Sequence, residues 1–162
     1  MKTYVIANPS DPYTICADDL AVAAVACWLL GSGHYAFTNV EDPKDEVPIF
    51  LFGGQDAWTK EKFDTSAEGL IKDVLANKRE ALIACLDSTL IGRPSDRASY
   101  EKGLELIDDP DKRKAWRDHW HDERRSSMND IGGRAYDLAE RLRQPPTVDQ
   151  IDQGVLVDAE AS

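Results

Sequence analysis

The sequence predicts an α+β domain, with a small antiparallel sheet from the N-terminal third packed by several helices. Three observations predict it. Strand-like segments fall in the first third of the 162 residues and helix-like segments in the rest, a segregation that marks α+β rather than alternating α/β chains. Two β-rich runs flank Asn8-Pro9-Ser10-Asp11-Pro12, dense in turn formers, as in a hairpin with a longer loop. An almost wholly apolar run, Leu20 to Leu30, then demands a core to lie in.

Each element follows in order. Lys2 to Asn8 alternates, with Tyr4 and Ile6 on one face and Thr3 and Val5 on the other, as a strand does. Tyr13-Thr14-Ile15-Cys16 is β-branched and aromatic and makes the second strand. Asp18 is placed to cap the next helix, with Asp19 in its first turn, where the helix dipole favours acid. That helix stops at Gly31-Ser32-Gly33. His34 to Val40 reads as a third strand. Glu41 to Glu46 reads as an exposed acidic loop, and Ile49-Phe50-Leu51-Phe52 as a strand buried on both faces. After Gly54 the pattern turns helical. Thr65-Ser66-Ala67-Glu68 has capping-box spacing with Thr65 as the cap. The Leu70 to Leu86 stripe is interrupted at Asn77-Lys78. Another helix follows Pro94-Ser95, with Tyr100, Leu104 and Ile107 as its stripe. Asp109-Pro110 opens a helix carrying Trp116 and Trp120 at i,i+4. The last helix sets Met128, Ile131, Ala135, Leu138 and Leu142 on one seam, and Gly132-Gly133 marks a kink or a close helix contact. One domain is expected over 1–143, followed by an acidic, flexible tail over 144–162.

Composition narrows the function classes. With 42% hydrophobic and 30% charged residues the chain is globular rather than disordered. No run approaches the roughly 20 apolar residues of a membrane helix, and the opening Met1-Lys2-Thr3-Tyr4 lacks the apolar core of a secretory signal. Cys16, Cys27 and Cys85 are odd in number, lie in apolar surroundings and form no C-x-x-C pair. Reduced, buried thiols in a cytoplasmic protein are expected.

Charge is the most informative feature. Asp and Glu number 30 against 19 Lys and Arg, a net −11. Yet Asp111 to Arg143 holds nine Lys/Arg against seven Asp/Glu, with two of the four tryptophans. An acidic body repels DNA, RNA and anionic membranes and attracts basic protein surfaces. The basic stretch has Arg113, Arg117 and Arg124 near one helix face, with Lys112, Lys114 and Arg125 elsewhere. Interleaved Asp118, Asp122 and Glu123 favour a solvated, salt-laced helix over a nucleic-acid site.

No motif identifies a reaction. His119 and His121 are i,i+2, so on a helix they point about 200° apart and cannot share a metal. General acid/base work by His119 with Asp122 is an unspecific alternative. His34 at a strand edge has no recognisable partner. Gly31-Ser32-Gly33 and Gly53-Gly54 fit no phosphate-binding loop. Ser88 lacks a G-x-S-x-G elbow, and Cys85 fits the apolar seam of its helix.

The segments Tyr4 to Thr14, Asp19 to Ala24 and Leu29 to Gly33 resemble small uncharacterised proteins of phages, prophages and plasmids. The likeness covers about the first 40 residues and carries no catalytic motif. Such accessory proteins are often anti-defence factors, anti-CRISPR proteins among them, and act by contact. The resemblance therefore implies an acidic inhibitor or modulator in the host cytoplasm that binds a host protein or ribonucleoprotein complex. It transfers no site residues. Candidate protein contacts are Glu41, Asp42, Asp45 and Glu46, the acidic tail, and Trp116 and Trp120 where exposed. No cofactor or metal is called for, and a homodimer stays open. The alternatives are a small enzyme or nucleotide-binding protein with a pocket at the sheet–helix boundary, and nucleic-acid binding through Arg113, Arg117 and Arg124.

Overall fold

A computed structural model describes residues 1–6, 12–30, 37–42, 46–47, 54–125 and 131–144. The elements in chain order are β1 (Lys2–Ile6), β2 (Tyr13–Ala17), α1 (Leu20–Leu30), β3 (Phe37–Asn39), β4 (Glu46–Val47), α2 (Gly54–Phe63), α3 (Ala67–Asn77), α4 (Arg79–Asp87), β5 (Leu90–Ile91), α5 (Pro94–Leu106), α6 (Pro110–Arg125) and α7 (Ile131–Arg143). The class is α+β. One sheet runs β4-β3-β1-β2-β5, and each neighbouring pair is antiparallel.

The expected hairpin is its centre. Lys2 pairs with Ala17, Tyr4 with Ile15 and Ile6 with Tyr13. Tyr4, Tyr13, Ile15 and Ala17 are buried together in the core cluster on one face of the pair, and Thr14 and Cys16 on the other face of β2 are buried as well. Over them lies α1. Ala21 to Cys27 and Leu30 are all buried, so its lack of a polar face is explained by the sheet, α3, α4 and α7 packed around it.

Several sequence expectations shift. The sheet is not confined to the first third, because Leu90–Ile91 adds β5 at its edge, pairing Ile91 with Tyr13 and Leu90 with Thr14. Two residues are too short a run to show any period. Glu46 is not loop. It lies in β4 and pairs with Thr38, since an edge ladder is made by backbone groups and accepts a charged residue type. The third strand spans Phe37–Asn39. His34, Asp45, Ile49 to Phe52, Met128 and residues 145–162 lie outside the described residues.

Two caps sit one residue later than expected. Asp19, not Asp18, caps α1, its Oδ1 accepting from Val22 N at 2.9 Å. Ser66, not Thr65, caps α3, its Oγ accepting from Gly69 N at 3.1 Å. In both pairs either residue type can cap, and the choice falls to where the apolar stripe meets the core. The break at Asn77-Lys78 is present, with Lys78 between α3 and α4. Asp109 caps α6, accepting from Lys112 N at 3.0 Å. Gly133 is buried on α7.

The outer edge of β2 is closed by two devices. β5 covers Tyr13 and Thr14. Beyond it, the Ser88 hydroxyl replaces a strand. It accepts from Cys16 N at 2.8 Å and lies 3.3 Å from Cys16 O and 2.5 Å from Cys85 O as a donor. Arg97 of α5, only 6% exposed, completes the seal by donating to Thr14 Oγ1 at 2.6 Å, to Thr14 O at 3.0 Å and to Ser88 O.

Candidate binding surface

Part of the basic complement is committed inward. Four arginines donate to carbonyls at the ends of four helices: Arg134 to Leu30 O of α1 at 2.6 Å, Arg97 to Ser88 O after α4, Arg113 to Leu104 O and Ile107 O at the end of α5, and Arg79 to Leu142 O of α7 at 2.8 Å. A guanidinium there satisfies orphan carbonyls and meets the negative end of the helix dipole. Two of the four, Arg134 with Leu30 and Arg79 with Leu142, join residues 104 and 63 apart in the chain, so sequence does not show them. The sequence signal was the arginine excess in the C-terminal half, without its purpose.

This changes the reading of α6. Arg113, a nucleic-acid candidate, is half-buried and holds α5. Lys114 pairs with Asp118 at 2.7 Å, the i,i+4 lacing expected. Arg117 is exposed. The side chains of Arg124, Arg125 and His121 lie outside the described residues.

Trp116 and Trp120 are half-buried against α5 rather than displayed. Trp116 Nε1 donates to Tyr100 O at 2.9 Å. The Trp120 ring lies 5.6 Å from Tyr100 and 5.7 Å from Trp116. Their i,i+4 spacing therefore builds the α5–α6 hairpin, and burial pushes the Tyr100 phenol above its ordinary pKa.

A different surface gathers acid. β1 begins between the ends of β2 and β3, so one end of the sheet collects Met1, Asp18, Val40, Glu41 and Asp42, three carboxylates against the one exposed lysine there, Lys2. Val40 N donates to Thr3 O at 2.9 Å, and Glu41 N donates to buried Asn39 Oδ1 at 3.0 Å. This Asn-closed turn presents Glu41 and Asp42 to solvent. Asp18 leaves β2 on the same rim, about two strand spacings or roughly 10 Å away. Met1 is 79% and Val40 45% exposed, giving the acidic rim an apolar component. Asp18 and Met1 were not among the sequence candidates; strand ends that meet across β1 become neighbours only once the register is known. Of the other candidates, Glu46 lies in β4 next to this region, its side chain undescribed, and Asp45 is outside the described residues.

Of the chemical candidates, the described Cys85 and His119 are not brought together. Cys85 is buried on α4. Burial, with Cys16 and Cys27 adding to it, pushes its thiol well above the ordinary value, so almost no thiolate exists at neutral pH. His119 is exposed on α6. Among the described residues no group of three or more His, Cys, Asp or Glu is placed to hold a metal. No helix there is long and apolar enough to cross a membrane. The α4–α7 cleft, about 460 Å³, is lined by neither Cys85 nor His119. Arg79 Nη2 at its wall has no acceptor and no exposure, so it offers nothing to a ligand there.

Thiol labelling checks this burial. The native chain is expected to react negligibly with a disulfide reagent over minutes at neutral pH, and the denatured chain to release three equivalents for its three cysteines. A fast native thiol at Cys85 would restore it as a nucleophile. No family model, no curated protein and no solved structure matches the chain.

Proposed function

We propose that this chain is an acidic binding protein of a phage or other mobile element, acting by direct contact on a host protein or ribonucleoprotein complex. The observation that carries the reading is the rim at the end of the sheet. Exposed Asp18, Glu41 and Asp42 stand beside exposed Met1 and Val40. Carboxylates there steer a basic partner, and the apolar side chains give it something to bury against. The accessory-protein origin rests on the N-terminal resemblance alone. A partner surface evolved to hold phosphates fits the chemistry, with carboxylates standing in for them.

Binding through α6 to nucleic acid is the weaker reading, since Arg113 is engaged with α5. A small enzyme is weaker too, since Cys85 and His119 share no cleft.

The test is a tagged pull-down from host lysate after nuclease treatment, comparing the native chain with Asp18→Lys, Glu41→Lys, Asp42→Lys combined. The native chain should retain a stoichiometric protein that elutes as salt rises through the range where screening becomes strong. The triple variant should lose it while keeping its Tm, because exposed charges contribute little to stability. Equal capture by both proteins would sink the rim as the contact surface. Loss of the partner with nuclease would point to nucleic acid instead.

A further inference from the structure

We propose that the cleft between α1, α2 and α3 binds a small organic cation with an apolar body. The proposal is independent of the rim. The cleft holds about 360 Å³, within the range of small-molecule sites. Its apolar walls are Ala21 of α1, Leu70 of α3 and Phe63 at the end of α2. Ala21 and Leu70 are buried. Phe63 is held edge-on by Trp58 at 5.6 Å, and Trp58 in turn by Trp28 at 5.9 Å. Three aromatic rings thus fix that wall before any ligand arrives, which reduces the ordering that binding requires.

The polar groups decide the charge of the occupant. Lys78 lines the cleft, but its Nζ lies 3.2 Å from Asp19 Oδ2, so its charge is met within the protein. Asp73 also lines the cleft. Its Oδ1 accepts from the Asn77 amide at 2.7 Å, a neutral donor that leaves the carboxylate charge uncompensated. Asp73, Lys78 and the Asp19 that pairs with Lys78 together sum to one negative charge, and an ammonium at Asp73 satisfies it where a carboxylate or phosphate is repelled.

The third group is the Thr65 hydroxyl, which belongs to a residue lining the cleft. Its position is set from both sides. Asp64 before it takes φ 56°, a left-handed residue that ends α2 and turns the chain into the cleft. Gly69 after it leaves the space the hydroxyl occupies, since a Cβ there would overlap Thr65 Oγ1. An amine seated on Asp73 can also donate to Thr65, with its apolar body against Phe63 and Leu70.

The experiment is an amide-resolved NMR titration of the full chain with three probes of one shape: benzylamine, benzyl alcohol and benzoate. Benzylamine should give saturable shifts at Ala21, Gly69, Leu70 and Asp73 at millimolar concentration, and benzoate none there. Asp73→Asn keeps the acceptor for Asn77 and should keep the Tm, yet weaken benzylamine about tenfold or more, the size of one charge-assisted hydrogen bond. Thr65→Val should weaken it less. Equal response to all three probes, or no saturable shift with benzylamine, would overturn the site. So would unchanged affinity in Asp73→Asn. None of these outcomes touches the pull-down, which reads a different surface.

Discussion

Replacing Arg97 with methionine is expected to lower the unfolding free energy by about 3–5 kcal/mol, among the largest effects a single substitution in this chain can have. The guanidinium is buried and serves three acceptors: Thr14 Oγ1, Thr14 O and Ser88 O. The carboxylate of Glu101 lies 3.7 Å away with its side chain 57% exposed, so solvent screens that pair and it contributes little. Methionine keeps most of the volume and removes a buried charge, which by itself would stabilise. The loss prevails because the acceptors remain. The buried Thr14 carbonyl and hydroxyl and the half-buried Ser88 carbonyl lose their donor, at about 1–3 kcal/mol each for the worst-placed. Urea unfolding should show a lower midpoint with an unchanged slope. Arg97→Lys should recover only part of it, since one ammonium cannot span a fork of three acceptors. Thr14→Val should cost less, and the double variant should fall short of the sum, because both remove the same bond. A loss under about 1 kcal/mol would mean that water replaces the guanidinium, and that β2 is not sealed by α5.

The seal explains which parts of the fold could be read in advance. Local signals carried well. The hairpin, the apolar helix, the break at Lys78 and the Asp109-Pro110 start all depend on a few neighbouring residues, and all are present. Features set by distant residues were not legible. Leu90–Ile91 becomes a strand only because Tyr13 and Thr14 offer it an edge. Ser88 carried no sequence signal beyond its missing nucleophile elbow, and its hydroxyl completes that edge at Cys16. Arg113 looked like part of a phosphate-binding face, yet it closes the end of α5. The same holds for the candidate surfaces. Glu41 and Asp42 were visible as exposed acid, but their company with Asp18, Met1 and Val40 depends on β1 lying between β2 and β3. The Asp73–Thr65 cleft was invisible, because its cationic neighbour Lys78 is neutralised by Asp19, 59 residues away in the chain.

Gly103 offers the second large effect, and one with an unusual sign. It lies inside α5, where alanine would ordinarily add about 1 kcal/mol of helix propensity. Here Gly103→Ala is expected to cost about 2–3 kcal/mol net, since overpacking against a fixed ring outweighs propensity. A Cβ at this position would stand 2.7 Å from Trp116 Nε1 and closer still to Cε2 and Cζ2. The indole cannot retreat freely: its Nε1 is bonded to Tyr100 O, and Trp120 packs on it from the other side. A helix-interior glycine with no turn to make was the one sequence signal that a large side chain lies over it. The decisive comparison is the same substitution in a Trp116→Leu background, where propensity should win and alanine should turn neutral or stabilising. Thermal melts read both, and tryptophan fluorescence reports whether Trp116 has left its seat. If Gly103→Ala stabilises the native chain, Trp116 does not rest on α5 in solution. It would then be free to serve a partner, and the contact surface would have to be sought on α6 as well as at the sheet end. If it destabilises as expected, the α5–α6 aromatics belong to the fold, and the rim of Asp18, Glu41 and Asp42 stands as the surface to test.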